Sequence, residues 1–240
     1  MKVIGIIPSR YESTRFPGKP LIDLAGKTMI QRVYEGVARS QLIDRVIVAT
    51  DDQRIFDEVN SFGGEVMMTS ILHKTGTDRC IEIVHEVNEC DLAINIQGDE
   101  PLVNANQIDQ LVNAFSDPSV QIATMANGNI TKHEVANANR IKLVLDQNDN
   151  ALYFSRSAIP NTSKDHSVHS YLKHIGIYAF RKEALMRIET MLPCDLEKAE
   201  SLEQLRWMFY GEKIKVIKTT IETPNIDVPG DVEKVLSLLR

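Results

Sequence analysis

The stretch VIGIIPSRYESTRFPGKPL, at residues 3–21, sets the architecture of this chain. Val3–Ile7 is a short apolar run rich in isoleucine, which predicts a strand buried on both faces. A polar loop follows at once and carries Arg10, Arg15 and Lys19 within ten positions. A buried strand that opens into a basic loop is typical of α/β proteins that bind ligands beyond the end of a strand.

The same alternation continues through the first half of the chain. We expect strands at Arg45–Thr50, Glu65–Thr69 and Leu92–Ile96, with amphipathic helices between them, and Thr77 as the N-cap of the helix before the last of these strands. Apolar strands that alternate with amphipathic helices predict a mostly parallel sheet covered on both faces. Polar motifs lie at the carboxyl ends of these strands, where such sheets bind their ligands.

The second half is less regular and richer in strand signals. Two β-rich segments, Ile141–Asp146 and Ala151–Ser157, flank a four-residue polar turn and predict a hairpin. We see no internal repeat or linker, and therefore predict one α/β domain over residues 1–240 with an embedded β-rich excursion. Later elements are expected as two strands and a terminal helix, at His174–Arg181, Lys213–Thr219 and Val232–Leu239.

Bulk composition excludes several classes of protein. The chain is 43% hydrophobic and 25% charged, which is ordinary for a globular protein, and its net charge of −6 argues against a general nucleic-acid binder. No apolar run is long enough for a membrane span or a signal peptide, so we expect no membrane insertion. Cys80, Cys90 and Cys194 are odd in number and widely spaced, which favours reduced thiols and a cytoplasmic protein over disulfides or a zinc site.

The basic loop after the first strand has two interpretations. Guanidinium forks and a lysine match the oxygens of a triphosphate, and Gly18 allows backbone to approach a ligand closely. A solvated charged loop fits the spacing equally well. The loop is not a Walker A motif, because Pro20 follows Gly18-Lys19, and the chain contains no GxGxxG fingerprint.

The second motif is INIQGDEP at residues 94–101, in which an apolar strand runs directly into Gly98-Asp99-Glu100. A carboxylate at the end of a strand can hold Mg²⁺, which prefers oxygen ligands. A turn or helix cap before Pro101 is the equally common alternative. Other candidates have simple structural explanations when taken singly, as helix caps, core residues, wet helix faces or turns: Arg79, Arg156, His174, Glu203, Gln204 and Asp227.

Taken together and in order, these segments resemble the 3-deoxy-manno-octulosonate (Kdo) cytidylyltransferase family along essentially the whole chain. The resemblance implies a Rossmann-like nucleotidyltransferase fold with a mixed sheet flanked by helices. It also implies a homodimer formed largely through the β-rich second half. The segments that carry it are IPSRYESTRFPGKPL, VIVATDD, TGTDR, INIQGDEP, ALYFSRSAIP, HIGIYAF and LEQLRWMFYGEKI.

The resemblance also implies roles for individual residues. Arg10, Lys19 and Asp99 would be catalytic. Five side chains would bind CTP beside Arg10: Ser13, Arg15, Lys19, Arg79 and Gln97. Six would bind the acidic sugar, with Arg156 as a partner for its carboxylate: Gln97, Arg156, His174, Tyr178, Glu203 and Gln204. Mg²⁺ would be held by Asp99 and Asp227.

The implied activity is transfer of CMP from CTP to Kdo, giving CMP-Kdo and pyrophosphate for lipopolysaccharide biosynthesis. Two alternatives remain: a cytidylyltransferase for another acidic sugar, such as an amino-substituted octulosonate or a sialic acid, and a non-catalytic nucleotide-sugar-binding protein. The stretches at residues 71–75 and 228–230 depart from the usual pattern of the family, so contacts to the base and the loop around Asp227 are the least certain parts of the resemblance.

Overall fold

The structure, a computed structural model, describes residues 1–12, 16–164 and 171–239. The chain forms two compact units: unit 1 comprises Met1–Asp109 and Thr223–Arg240, and unit 2 comprises Gln110–Glu222. A compact unit need not fold by itself, so the single domain over residues 1–240 stays a prediction.

Unit 1 is built on four parallel strands in the order β3-β2-β1-β4. The central strand β1 is buried along nearly its whole length, because α1 and α3 pack against it. This confirms the parallel sheet predicted from the apolar runs of the first half. The elements are β1 (Val3–Ser9), α1 (Met29–Val37), β2 (Arg45–Thr50), α2 (Gln53–Ser61), β3 (Val66–Met68), α3 (Gly76–Glu86), β4 (Leu92–Asn95) and α4 (Ala105–Asn113).

The N-terminus of α3 corrects one detail of the sequence analysis. The prediction of Thr77 as N-cap is wrong, because Thr75 caps the helix and Thr77 is buried inside its first turn. The Thr75 hydroxyl accepts a hydrogen bond from the backbone N–H of Asp78 at 3.1 Å, and the Asp78 carboxylate accepts one from the N–H of Thr75 at 3.0 Å. This reciprocal pair satisfies two amides that the helix itself leaves without partners, which favours Thr75.

Unit 2 contains a mixed arrangement of strands. Strand β5 pairs parallel with β9 and antiparallel with β8, while β6 and β7 form the predicted hairpin and β6 also pairs with the start of β8. The mixed, mostly parallel α/β fold is thus confirmed. The elements are β5 (Ile122–Asn127), α5 (Lys132–Ala136), β6 (Lys142–Leu145), β7 (Ala151–Ser155), β8 (Leu172–Arg181), α6 (Lys182–Glu189), α7 (Asp195–Glu200), α8 (Gln204–Phe209) and β9 (Ile214–Thr219).

A buried lysine holds the base of the hairpin. Lys142 is fully removed from water, and its ammonium donates hydrogen bonds to the carbonyls of Asn137, Arg140 and Arg156 at 3.0, 2.6 and 2.5 Å. Burial lowers the pKa of this lysine, and three carbonyl acceptors replace the water it has lost. This lysine, the first residue of β6, is therefore an internal contact and not a surface charge.

The last described residues complete the core of unit 1. Ile226 and, on α9 (Asp231–Leu238), Val235 are fully buried in one cluster with Leu24 and Met29. Across the described residues, no helix has the length and apolar character needed to cross a membrane. The three cysteines, Cys80, Cys90 and Cys194, are all buried.

Candidate active site

Tyr11 and Gly18, on either side of the undescribed residues 13–15, are in contact. The N–H of Gly18 donates to the carbonyl of Tyr11 at 2.9 Å, and Gly18 has the left-handed φ of 71°. A Cβ at this position would lie 3.1 Å from the Tyr11 ring, so the loop needs glycine both for its backbone and for this approach. Arg10 is exposed directly after β1, whereas the predicted CTP ligands Ser13 and Arg15 lie outside the described residues.

Lys19 is the point where three segments of unit 1 meet. Its ammonium donates to Asp99 Oδ2 at 2.7 Å and to the carbonyl of Ile226 at 2.8 Å. The N–H of Ile226 in turn donates to the carbonyl of Asp99 at 3.0 Å. The structure therefore brings together Lys19, Asp99 and the backbone next to Asp227, as the sequence analysis expected for a metal and phosphate site.

Asp227 is held in a loop of its own. Its Oδ2 accepts a hydrogen bond from the Asn225 amide at 3.1 Å, and its N–H donates to Asp231 Oδ2 at 2.9 Å. The Asp231 carboxylate also accepts from the N–H of Val228 at 3.0 Å, which closes the unusual 228–230 stretch into a tight turn before α9. The aspartate predicted as the second metal ligand thus has a defined position despite the atypical residues that follow it.

Glu100 is an acidic residue whose burial the sequence did not reveal. It is buried, and burial together with the neighbouring Asp99 charge raises the pKa of its carboxyl to about 8. A carboxyl with this pKa is mostly protonated at pH 7. Asp99, which precedes Glu100 in the chain, is the part-exposed member of the pair.

Arg79 is almost completely buried and joins two segments of unit 1. It is 1% exposed, and its guanidinium donates to Asp51 Oδ2 at 2.5 Å and to Thr69 Oγ1 at 2.5 Å. These contacts tie the end of β2 to the segment after β3. Gln97, the other predicted nucleotide contact on this side, is half-buried after β4.

On unit 2, Arg156 is engaged by backbone carbonyls. Its guanidinium donates to the carbonyls of Glu200, Ser201 and Ala138 at 2.6, 3.3 and 3.1 Å. The Glu200 carboxylate accepts in return from the N–H of Arg156 at 2.8 Å and from the Ser155 hydroxyl at 2.7 Å. The end of β7 is thereby fastened to the C-terminus of α7, directly before Glu203 and Gln204.

His174 is a neutral histidine within an aromatic cluster. Burial of the ring lowers its pKa to about 3. His174 Nε2 lies 2.9 Å from Thr124 Oγ1, and the Thr124 hydroxyl also lies within donating distance of the carbonyls of Ile177 and Ile175, at 2.8 and 3.2 Å. A neutral ring nitrogen and a hydroxyl can each donate or accept, so this hydrogen bond ties His174 to β5 in either tautomer.

The remaining predicted sugar-side residues lie near this cluster. The Tyr178 ring centroid is 5.3 Å from that of His174 and 5.1 Å from that of Trp207, and burial raises the pKa of Tyr178 well above its ordinary value. Gln204, the first residue of α8, is 5% exposed. Glu203 precedes it and accepts a hydrogen bond from Arg206 at 3.2 Å.

Two further residues near the basic loop were not singled out from the sequence. The guanidinium carbon of Arg54 lies 3.2 Å above the centroid of the Tyr11 ring. Tyr11 is inside the quoted loop, so its position was visible in the sequence. Arg54 stands on α2 and its contact is purely tertiary, and no spacing rule would have found it.

Comparison with known proteins identifies the family. The family model described as Cytidylyltransferase matches residues 4–214. Relatives that are named 3-deoxy-manno-octulosonate cytidylyltransferase include a protein of Bacteroides thetaiotaomicron, 49% identical over 100% of this chain and 99% of that protein. Another, from Geobacter sulfurreducens, is 44% identical over 100% of both chains.

Solved structures agree with the sequence comparison. A CMP:2-keto-3-deoxy-manno-octonic acid synthetase complexed with CTP is 41% identical, has a TM-score of 0.95, and covers 100% of this chain and 98% of its own. A 4-diphosphocytidyl-2C-methyl-D-erythritol synthase from Anaerococcus prevotii, 15% identical with a TM-score of 0.65 over 99% of this chain and 98% of its own, shares the fold. The full-length agreement in sequence and structure places this chain in the 3-deoxy-manno-octulosonate cytidylyltransferase family.

Proposed function

We propose that this protein transfers CMP from CTP to Kdo, with release of pyrophosphate. The observation that carries the proposal is the meeting of Lys19, Asp99 and the Ile226 carbonyl in a chain whose relatives bear the name of this reaction. A cation near the end of a parallel strand suits a triphosphate that has to be bound and neutralised. No observation favours the alternative acidic sugars or a binding protein without activity.

The proposed chemistry is an in-line displacement. The anomeric hydroxyl of Kdo attacks the α-phosphorus of CTP, a new P–O bond forms, and the bond to the pyrophosphate oxygen breaks. Arg10 and Lys19 neutralise the triphosphate and orient it for this attack. Reactions of this type depend mainly on positioning and on stabilisation of charge, so we assign no dedicated general base among the described residues.

We further propose that Asp99 and Asp227 hold Mg²⁺. The donor set fits this ion: Asp99 is part-exposed, Asp227 is held by hydrogen bonds within its loop, and the ligand atoms that both offer are carboxylate oxygens. Mg²⁺ usually keeps several waters and takes one or two protein carboxylates together with substrate phosphates, so two aspartates would be enough for such a site. Bound there, Mg²⁺ would supply Lewis-acid stabilisation of the phosphate oxygens.

The acidic sugar is proposed to bind through unit 2. Three of the five N–H donors of Arg156 bind backbone carbonyls, and the other two would serve the carboxylate of the sugar. Glu203 and Gln204 stand at the start of α8 beside the segment that Arg156 holds. His174 is neutral and Tyr178 is uncharged, so both would contact sugar hydroxyls as hydrogen-bonding groups without adding charge.

Assembly and location complete the proposal. Unit 2 exposes several large apolar side chains, which supports a homodimer formed through this half of the chain: Leu152, Leu196, Phe209 and Tyr210. The buried thiols of the three cysteines are in keeping with a cytoplasmic enzyme. CMP-Kdo made there would feed lipopolysaccharide biosynthesis.

A direct assay tests the central proposal. Purified protein is given CTP, Mg²⁺ and a panel of sugar acids, with and without EDTA, and pyrophosphate release is followed. Release with Kdo that EDTA abolishes is the expected result. Release only with another acid would show that this other acid is the substrate. No release with any acid, despite CTP binding, would overturn the proposed activity.

A further inference from the structure

The motif Thr50-Asp51-Asp52 ends β2, and its two aspartates each hold an arginine. Asp51 accepts from the buried Arg79, as described above. Asp52 is the N-cap of α2 and accepts from three nitrogens of Arg54: its backbone N–H at 2.9 Å, Nε at 2.9 Å and Nη2 at 2.6 Å. The bidentate fork fixes the plane of the guanidinium, which an isolated exposed arginine would not have.

The orientation that Asp52 imposes places the guanidinium of Arg54 over the Tyr11 ring. A separation of 3.2 Å between Cζ and the ring centroid is within the range of a cation–π contact. The carbonyl of Tyr11 accepts from the N–H of Gly18, and a Cβ at Gly18 would lie within a tight 3.1 Å of the Tyr11 ring. Asp52, Arg54, Tyr11 and Gly18 therefore form one continuous chain of contacts that ends next to Lys19.

We propose that Arg54 is a positioning residue for the basic loop after β1. It acts through Tyr11 to hold Gly18 and Lys19 in the conformation that binds CTP. The inference rests on the proposed function for its ligand, but the contact chain itself lies wholly within unit 1. Arg54 side-chain exposure is 54%, so its role is not to fill the core. Its fixed geometry and its loop contact are what a positioning role requires.

The first test measures the loop without any ligand. Amide hydrogen exchange at Gly18 reports the hydrogen bond to Tyr11. Arg54→Gln is expected to speed this exchange roughly fivefold, because the variant loses one exposed cation–π contact. Arg45→Gln is the matched control, because Arg45 makes a comparable bidentate pair with Glu65 on the surface of unit 1. Equal exchange at Gly18 in all three proteins would overturn the proposal, whatever the enzyme's substrate.

The second test separates positioning from general damage. Arg54→Gln is expected to raise the KM for CTP roughly fivefold while kcat at saturating CTP and the KM for Kdo stay near wild type, and Arg54→Lys is expected to recover part of the loss. A merely structural role would lower kcat and alter both KM values together. That result would overturn the proposal while leaving the proposed activity intact.

A double-mutant cycle shows whether the effect passes through the ring. If Arg54 acts through Tyr11, then Tyr11→Ala combined with Arg54→Gln should weaken CTP binding no more than Tyr11→Ala alone, and Tyr11→Phe should be near neutral. Calorimetric CTP affinities serve here, so the cycle does not depend on turnover with Kdo. Fully additive effects would show that Arg54 acts elsewhere and would refute the inference.

Discussion

The ammonium of Lys19 lies 2.7 Å from Asp99 Oδ2 and 2.8 Å from the carbonyl of Ile226, which are 80 and 207 residues away in the chain. One side chain thereby joins the basic loop, the turn after β4 and the segment that carries Asp227. Lys19 is 13% exposed and Asp99 26% exposed, so the pair is shielded from water without being sealed from it. An interaction of this kind is open to ligands and still defined in geometry.

Replacing Lys19 tests its role in charge neutralisation. We expect Lys19→Ala to lower kcat/KM for CTP roughly 100-fold, because the developing charge on the phosphates loses a fixed cation. Steady-state pyrophosphate release measures the effect. Lys27→Ala is the control, since Lys27 also forms a lysine–carboxylate pair on unit 1, with Glu35 at 2.5 Å. A kcat/KM for CTP close to that of the wild type would contradict the assignment.

Asp99 is the residue on which the proposed metal site depends most. Asp99→Asn is expected to abolish Mg²⁺-dependent turnover, because a neutral amide is a much weaker ligand for a hard cation. Circular dichroism should show that the protein stays folded, as the lysine partner is only partly buried. The exposed Asp57→Asn on α2 should behave as wild type. Full activity in Asp99→Asn at ordinary Mg²⁺ concentrations would remove Asp99 from the metal site.

Replacing Arg156 distinguishes an effect on sugar binding from an effect on nucleotide binding. We expect Arg156→Ala to raise the KM for Kdo about tenfold or more and to leave the KM for CTP nearly unchanged, since a charged hydrogen bond is lost on one substrate only. Initial rates with each substrate varied in turn provide both constants. Arg187→Ala, which breaks an exposed pair with Glu212, is the control. An equal rise in both KM values would argue for the structural clamp on α7 as the sole role of Arg156.

His174 gives unit 2 a predictable pH dependence. The pKa of His174 is about 3 in the folded protein and 6.5 in the unfolded chain. Below pH 6.5 the unfolded chain therefore binds a proton at this ring and the folded protein does not. Stability from this group is complete above pH 6.5 and falls as pH drops towards 3, by up to about 2 kcal/mol at pH 5. His174→Gln should lose less stability between pH 7 and pH 5 than wild type in urea denaturation.

A matched variant makes the pH experiment specific. His133 is exposed on α5 of the same unit, and His133→Gln should keep the pH dependence of the wild type. If His174→Gln lost the same free energy of unfolding between pH 7 and pH 5 as the wild type, the ring would not be protonating on unfolding, and the explanation from burial would be wrong.

The sequence was sufficient for the parallel half of the sheet. Arg45–Thr50 matches β2 residue for residue, because a run of buried β-branched residues bounded by charge has one simple interpretation. Strand β5 was missed, although all six of its residues are buried. Its letters, IATMAN, mix small and polar residues. Thr124 and Asn127 are tolerated inside because tertiary partners satisfy them, at the carbonyls of Ile177 and Ile221.

The candidate site divides in the same way. Lys19 and Asp99 could be found from motifs, because each follows a strand that the apolar pattern predicts. The partners of Arg156 and the pKa of Glu100 could not be found, because both depend on which backbone carbonyls and charges the folded chain brings near. Resemblance to the family supplied the residue list, whereas the hydrogen-bond network came only with the coordinates.

The division of unit 1 into two stretches of chain bears on its synthesis. Unit 2 is continuous and can form its contacts once residue 222 has left the ribosome. The cluster of Leu24 and Met29 cannot form completely until Ile226 and Val235 have been synthesised. The N-terminal part of the protein, including the Lys19 contact to Ile226, is thus finished last. A nascent chain stalled before Ile226 would lack the carbonyl that Lys19 binds, so the candidate site cannot be complete until Ile226 has been synthesised.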